Sequence, residues 1–487
     1  MTIEECLKQL DYKKVLYYFA EISKIPRGSG NVKQISEYLV SFAKEHNIRY
    51  IQDEAYNVIF FKPATAGYEN APTVMLQGHM DMVCEKESSS AHDFTKDALE
   101  LSVEDGYLKA NDTTLGGDDG IAVAYGMALL TDNTIAHPAL EIVITTDEET
   151  GMGGAIALDT SVLSAKYMIN LDSEEEGIVL VSCAGGMRMD AVLPLKRIPV
   201  FGEKIGITVQ GLQGGHSGAE IHKNRSNATL LLARILFELR NESEYVLVDM
   251  EGGLKDNAIP REAHALLITS TEQKEKLLTA LSEIEQKLKK ELSASEPEFS
   301  LLVVSLDAQE EEAALHPVSF EKLLFMLMHT PNGVQCMSSE IAGLVESSLN
   351  LGIFATKPLE AEFHYALRSS VGSYKYFRRD RLEYFIHFLG GECNTHGEYP
   401  AWEYKKESKL REIFAEVFEK EYGKQPSMEA IHAGLECGLI SEKMPDLDIV
   451  SIGPEMHDIH TPKERLSVVS AIRVYQFLEK LLEALKA

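Results

Sequence analysis

Histidines and carboxylates recur along this chain where short apolar runs end. His79 follows the run 73–77, Glu149 follows 141–146, Asp172 follows 167–171, and His460 lies downstream of 447–452. Asp118 sits in the turn Gly116-Gly117-Asp118-Asp119-Gly120, ahead of a helix-like stretch at 121–130. Short apolar runs of this kind read as buried strands. In an open α/β sheet, sites form at the carboxyl ends of strands. Two imidazoles and three carboxylates gathered there suit two divalent cations. Zinc is the first expectation because it takes mixed nitrogen and oxygen ligands, with cobalt or manganese as alternatives. A pair of cations about 3.5–4 Å apart is a common device for hydrolysing amides or phosphates.

Other residues have the chemistry to support such a centre. His79-Met80-Asp81 places two polar side chains at i and i+2, on one side of an extended strand end. A ligating imidazole needs its second ring nitrogen held by an acceptor, a task for Asp81. Taken alone, His-x-Asp is a common pattern. Glu148 and Glu149 are adjacent, so one can ligate while the other takes a proton from an acidified water. The acidic run 172–177 reads mostly as a solvated loop, with only Asp172 in the ligand position. It lacks the alternating acceptors of a calcium loop.

Gly215-His216-Ser217-Gly218 frames a histidine with glycines, so it can approach a ligand closely and donate to a developing oxyanion. Ser217 is a poor nucleophile candidate, because Ala219 stands where the elbow pattern needs glycine. Arg368, ending an apolar run, could clamp a carboxylate with two parallel hydrogen bonds or form a structural ion pair. Asn257, in Asn257-Ala258-Ile259-Pro260, reads more readily as part of a turn. Gly434, in the glycine-rich stretch 432–438, could present backbone donors to a ligand. His457, three residues before His460, leaves a choice between two late histidines.

The elements that must carry these groups fall into three segments. Residues 1–186 alternate helical periodicity (12–23, 32–46, 120–130, 154–164) with strand-like runs (58–62, 73–77, 141–146, 167–171). This predicts an α/β fold with a mostly parallel sheet. Residues 187–400 follow a different rule. Strand 204–210, helix 227–240, strands 244–250 and 263–269, helix 274–292 and strand 299–306 form one α+β set. Helix 320–329, strands 343–355 and 359–368, helix 373–389 and a short strand at 392–396 form a second. The pattern predicts two ferredoxin-like halves. From 401 to 487 the α/β pattern returns, with helices at 408–422 and 467–486 and a strand at 447–452. Because His460 lies in that last segment, 1–186 and 401–487 should form one catalytic domain, and 187–400 an insertion.

At 487 residues more than one domain is expected. A net charge of −29 argues against nucleic acid and anionic membrane surfaces as partners. The N-terminus lacks a basic, then apolar, leader, and no apolar run reaches the ~18 residues of a membrane span. Six cysteines lack CxxC spacing, which points to a reducing, cytoplasmic setting and free thiols. Cys84, although near His79 and Asp81, reads as a packing residue.

As a set these motifs resemble the co-catalytic zinc peptidases related to aminoacylase and glutamate carboxypeptidase. The resemblance is carried by His79-Met80-Asp81, the Asp118 turn, Thr146-Asp147-Glu148-Glu149, Asp172 and the late His460. It is closer to the bacterial aminoacyl-histidine dipeptidases, which cleave Xaa-His dipeptides in the cytosol. That closer likeness rests on 93–97, 113–116, 172–177, 183–186, 214–218, 257–262 and 432–438, and spans almost the whole chain. It implies that His79 and Asp172 bind one zinc, Glu149 and His460 the other, and Asp118 both. Asp81 would orient His79, Glu148 would be the general base, His216 would steady the oxyanion, and Arg368, Asn257 and Gly434 would meet the substrate. The turn carries Asp119 where close relatives often have Asn, so Asp118 and Asp119 compete for the bridging place. In relatives with a short lid, the glycine-framed histidine serves a partner subunit. The doubled insertion here implies that its second half imitates that partner, with a homodimer as the alternative. Short peptides are the expected substrate. N-acyl amino acids are the nearest rival substrate, and a non-catalytic peptide binder is the rival of another class.

Overall fold

The computed structural model describes residues 3–306 and 311–486. They cluster into two compact units. The first comprises 1–182, 404–430 and 436–487, and the second 183–403 and 431–435.

The first unit is built on an eight-stranded sheet. Its order is Arg49–Gln52, Val58–Lys62, Leu140–Thr145, Val74–His79, Tyr167–Asn170, Asp448–Ser451, Ile178–Cys183 and Ser427–Ile431. The central four strands, Leu140–Thr145 to Asp448–Ser451, are parallel to one another. Val58–Lys62 joins them antiparallel at one side and Ile178–Cys183 at the other, and Arg49–Gln52 pairs antiparallel with Val58–Lys62. The sheet is therefore mixed, not mostly parallel. The apolar runs identify the parallel strands because those are buried on both faces, as Val74–His79 and Leu140–Thr145 are throughout. The edge strand Arg49–Gln52 is partly exposed along its length and leaves a weaker pattern.

Helix Gly117–Thr131 is apolar all round and almost wholly buried, as a helix packed inside a domain must be. Val15–Ile22 and Val468–Ala484 supply further buried faces. The helical stretch expected at 154–164 breaks into Gly153–Ala157 and a 3-10 turn, Thr160–Val162. The Asp159 side chain caps that turn by accepting from the Ser161 N–H.

The second unit holds a long antiparallel sheet. Its first four strands run in the order Ser300–Leu306, Glu203–Gln210, Ala263–Thr269, Val246–Gly252. The next four are Val345–Thr356, Glu360–Ser369, Gly185–Pro194 and Glu392–Tyr399. Each set has the same spatial order once its strands are numbered along the chain. The two meet where Glu251 and Gly252 pair with Ala355 and Phe354. The second set takes its first strand from Gly185–Pro194, upstream of the whole first set. That strand buries Met187, Met189, Ala191 and Leu193 alternately, a period-two signal interrupted by Arg188 and Asp190. Helices Ala228–Leu239, Thr271–Glu291, Pro317–His329 and Gly372–Phe388 all contribute to one apolar cluster with these strands. Asn227 caps the first helix by accepting from the Thr229 and Leu230 N–H groups.

Candidate active site

His79 is the last residue of a strand buried along its length, and its ring is fully buried. Its Nε2 lies 3.1 Å from Asp118 Oδ1 and 3.6 Å from Asp172 Oδ1. Its Nδ1 lies 3.3 Å from Asp81 Oδ1. His460 Nε2 lies 3.2 Å from Asp118 Oδ2 and 3.0 Å from Glu149 Oε1. Asp118 thus offers one oxygen to each imidazole. Among the described residues, His79–Asp118–Asp172, Asp118–Glu149–His460 and His79–Glu148–Glu149 each bring their ligating atoms within 4.8 Å of one another. All these residues belong to the first unit.

The two alternatives left by the sequence are separated by this geometry. Asp119 turns away from the group, and its Oδ2 accepts the backbone N–H of His79 at 3.2 Å. His457 faces Glu455 and Tyr107, at 3.4 and 3.5 Å, and His460 is the late histidine beside Asp118 and Glu149. Cys84 is exposed and stays outside the group.

Burial and mutual charge set the protonation of the group. Burial, with the neighbouring Asp118 charge, pushes Asp172 up to about 8 although His79 opposes it. Burial does the same to Glu148, also to about 8, helped by Asp172, Glu149 and Asp118. The hydrogen bonds to Asp118 and Glu149 raise His460 to about 11. Burial depresses His79, but its bonds to Asp118, Asp172 and Asp81 more than offset this and hold it well above the usual imidazole range. Without a counter-charge, carboxylates this close resist ionising together. Divalent cations between them would remove that resistance, and two imidazoles with four carboxylates form a suitable donor set.

Three buried residues that sequence reasoning passed over hold the frame. Arg27 donates from Nη1 to the Met80 carbonyl at 3.1 Å and from Nη2 to the Gly116 carbonyl at 2.5 Å. It therefore ties the end of the His79 strand to the Asp118 turn. The Glu464 carboxylate accepts the N–H groups of Leu115, Gly116 and Gly117 at 2.7, 3.0 and 2.7 Å. Glu436 accepts from Gln77 Nε2 at 2.5 Å and Thr145 Oγ1 at 2.6 Å. Gln77, Thr145, Asn170 and Ser451 are all fully buried, one on each parallel strand, and are linked by Asn170–Gln77 and Ser451–Asn170 bonds of 2.6 and 2.5 Å. Burial, then the Glu148 charge, raises Glu436 to about 8. The signals were present: a cation inside Pro26-Arg27-Gly28-Ser29-Gly30, a carboxylate inside 432–438, and Glu464 after Thr461-Pro462-Lys463. None could be assigned a role without knowing which backbone it faces.

The second unit has its own polar cluster. Arg368 is 5% exposed and its Nη1 donates to the Tyr399 hydroxyl at 2.8 Å, while its Nε has no partner. A Cβ on Gly218 would lie 3.2 Å from the Arg368 guanidinium carbon and 3.0 Å from the His216 ring. His216 Nδ1 accepts the Ala219 N–H at 3.1 Å, leaving Nε2 to carry the proton. Asn257 meets this motif through its backbone carbonyl, which accepts the Ser217 N–H at 2.9 Å. Gly434 packs against the Tyr399 ring so tightly that a side chain there would collide with it. His432 lies beneath, with Nε2 2.7 Å from Ser348 Oγ.

The profile of the peptidase family M20/M25/M40 matches residues 75–484. The cytosol non-specific dipeptidase of Escherichia coli (strain K12) is 37% identical over 483 residues, covering 99% of each chain. The crystal structure of aminoacylhistidine dipeptidase from Vibrio alginolyticus superposes with a TM-score of 0.90 at 33% identity, covering 97% of this chain and 98% of that one. Aminopeptidase PepT from Bacillus cereus, at 15% identity and a TM-score of 0.57, shares the fold over 98% of this chain and 100% of its own.

Proposed function

The chain belongs to peptidase family M20/M25/M40, and from that premise we propose that it is a metal-dependent dipeptidase acting on short peptides, Xaa-His dipeptides among them. The observation that carries this is Asp118, which divides its two oxygens between His79 and His460 while Glu148 stands in the same group. Asp118 would bridge two zinc ions, one held with His79 and Asp172 and the other with Glu149 and His460. Bound there, the ions would polarise the scissile carbonyl and acidify a water. Glu148 takes the proton of the attacking water and delivers it to the leaving amine. Asp81 fixes the His79 ring.

In the second unit, His216 presents a proton-bearing Nε2 for an oxyanion. Arg368, with an unpartnered buried N–H, takes the substrate's free carboxylate. Asn257 and Gly434 shape that cluster. We infer an inserted lid at residues 187–400, between catalytic segments 1–186 and 401–487; the second unit supports this with slightly wider bounds and the added stretch 431–435. Its repeated strand order supports two ferredoxin-like halves. The same doubling supports action of His216 within one chain. A homodimer that loses activity on dilution would count against that. A cytosolic location agrees with the name of the Escherichia coli relative, and no helix among the described residues is long and apolar enough to cross a membrane.

The test is hydrolysis of β-alanyl-histidine, a panel of free dipeptides and an N-acetyl amino acid, with and without Zn²⁺ restored after chelation. Metal-dependent cleavage of free dipeptides is expected. Cleavage of the N-acetyl compound alone would assign an acylase, and no cleavage at all would assign a peptide-binding protein.

A further inference from the structure

Among the described residues four triads of ligating side chains could hold a cation. Three belong to the group around Asp118. The fourth, Glu383, His387 and Cys393, lies in the second unit and shares no residue with them. Glu383 and His387 are four apart on helix Gly372–Phe388, the spacing that puts two side chains on one face about 5–6 Å apart at Cβ. Each follows a buried residue, Leu382 and Ile386, so both sit on the flank of the helix beside its core stripe. The helix closes at Gly390, which takes a left-handed φ of 82° while its N–H bonds the His387 carbonyl at 2.9 Å. The chain then reverses into strand Glu392–Tyr399, where Cys393 pairs with Ala191. The partly buried Cys393 packs against the unit's apolar cluster. Helix, turn and paired strand thus fix all three positions on regular elements, which is what a preorganised cation site requires.

We propose that Glu383, His387 and Cys393 form a third cation site, separate from the catalytic group, that binds Zn²⁺ through carboxylate, imidazole and thiolate with water completing the shell. The ligating atoms lie within 4.8 Å of one another. A tetrahedral zinc with bonds of ~2.0–2.3 Å needs them roughly 3.3–3.8 Å apart. Rotation of the exposed His387 ring and the half-exposed Glu383 carboxylate covers that difference. One sulfur, one nitrogen and one oxygen select a borderline cation over magnesium or calcium, which prefer oxygen alone. Burial, then the Glu383 carboxylate, raises the Cys393 thiol, so binding must displace a proton and strengthens as pH rises.

Cobalt distinguishes this site from the catalytic one. The catalytic ligands are nitrogen and oxygen only, so a thiolate-to-cobalt charge-transfer band in the near ultraviolet requires a sulfur ligand. Full-length protein stripped of metal and titrated with Co²⁺ should develop that band with a third bound equivalent. Cys393→Ser should bind two equivalents without the band. His387→Ala, at an exposed position with little to lose in folding, should weaken the third equivalent by roughly tenfold or more. A wild-type protein with no such band overturns the site, as does a band that survives intact in Cys393→Ser. The readout is independent of turnover, so failure of the dipeptidase assignment would leave it unaffected.

Discussion

Asp81 holds Glu148 by its backbone. The Oδ1 that lies 3.3 Å from His79 Nδ1 also accepts the Glu148 N–H at 3.2 Å, and Oδ2 accepts the Glu149 N–H at 3.4 Å. Ser29 Oγ donates to Oδ2 at 2.8 Å. One buried carboxylate therefore sets a candidate ligand imidazole, the candidate base and a second candidate ligand together. Asp81→Ala should lower zinc affinity about 10- to 100-fold. It should also depress kcat in enzyme resaturated with metal, because the Glu148 loop loses its anchor. Normal kcat at saturating zinc would confine Asp81 to the imidazole.

Glu148 itself should separate binding from chemistry. Glu148→Gln keeps the size of the side chain and removes the proton acceptor. The variant is expected to hold the same zinc stoichiometry and lose roughly 10²–10⁴-fold in kcat. Near-normal turnover in the metal-loaded variant would remove Glu148 as the base.

The Asp118 turn depends on a carboxylate far along the chain. Glu464 accepts three consecutive backbone N–H groups, and an amide cannot replace both oxygens as acceptors. Glu464→Gln should cost about 1–3 kcal/mol in unfolding free energy through an unsatisfied buried donor. It should also weaken zinc retention against a chelator. Retained stability with unchanged zinc release would show that the turn holds itself.

Arg368 predicts a KM effect. Lysine keeps the charge and loses the parallel pair of donors. Arg368→Lys should raise KM for free dipeptides roughly 10- to 100-fold and leave kcat within a few fold. Dipeptide amides, which lack the carboxylate, should respond little. An equal rise for amides and acids would assign Arg368 to structure.

His432 predicts a pH dependence outside the metal group. Burial, then the Arg368 charge, pushes its pKa down to about 3, below the ~6.5 of an unfolded imidazole. Below about pH 6.5 the unfolded chain takes up a proton that the folded ring refuses. The contribution is therefore complete above 6.5 and is lost as pH falls towards 3. By pH 4 the loss amounts to about 3 kcal/mol at most. In urea unfolding, His432→Gln should be less stable than wild type at pH 7, and the gap should narrow as pH falls from 6.5. A constant gap would show that the ring titrates normally in the folded protein.

Much of the candidate site's placement was legible because its residues punctuate strands. His79 ends its strand, Glu149 and Asp172 follow theirs closely, and a strand buried on both faces advertises itself as an unbroken apolar run. The supporting residues were not legible for a related reason. Arg27, Glu436 and Glu464 act on backbone or on buried polar side chains from other segments, so their function depends on tertiary proximity, which no local spacing encodes. Gly185–Pro194 was hidden by charges on its outward positions. Residues 431–435 cluster with the second unit although the sequence around them continues the first, a five-residue excursion too short to carry any periodicity.

The chain order of the candidate site also has a consequence for synthesis in the cell. His79, Asp118, Glu149 and Asp172 emerge from the ribosome before any of 183–403, whereas Asp448–Ser451, His460 and Glu464 emerge after all of it. Until then the nascent first unit carries a strand, Tyr167–Asn170, paired on one side with Val74–His79 but lacking its second parallel neighbour, Asp448–Ser451. It also carries a cluster of acids whose second imidazole is missing, and an Asp118 turn whose three N–H groups have no acceptor. Contacts of such long sequence separation form late. A ribosome stalled within the insertion would therefore display only part of the candidate centre.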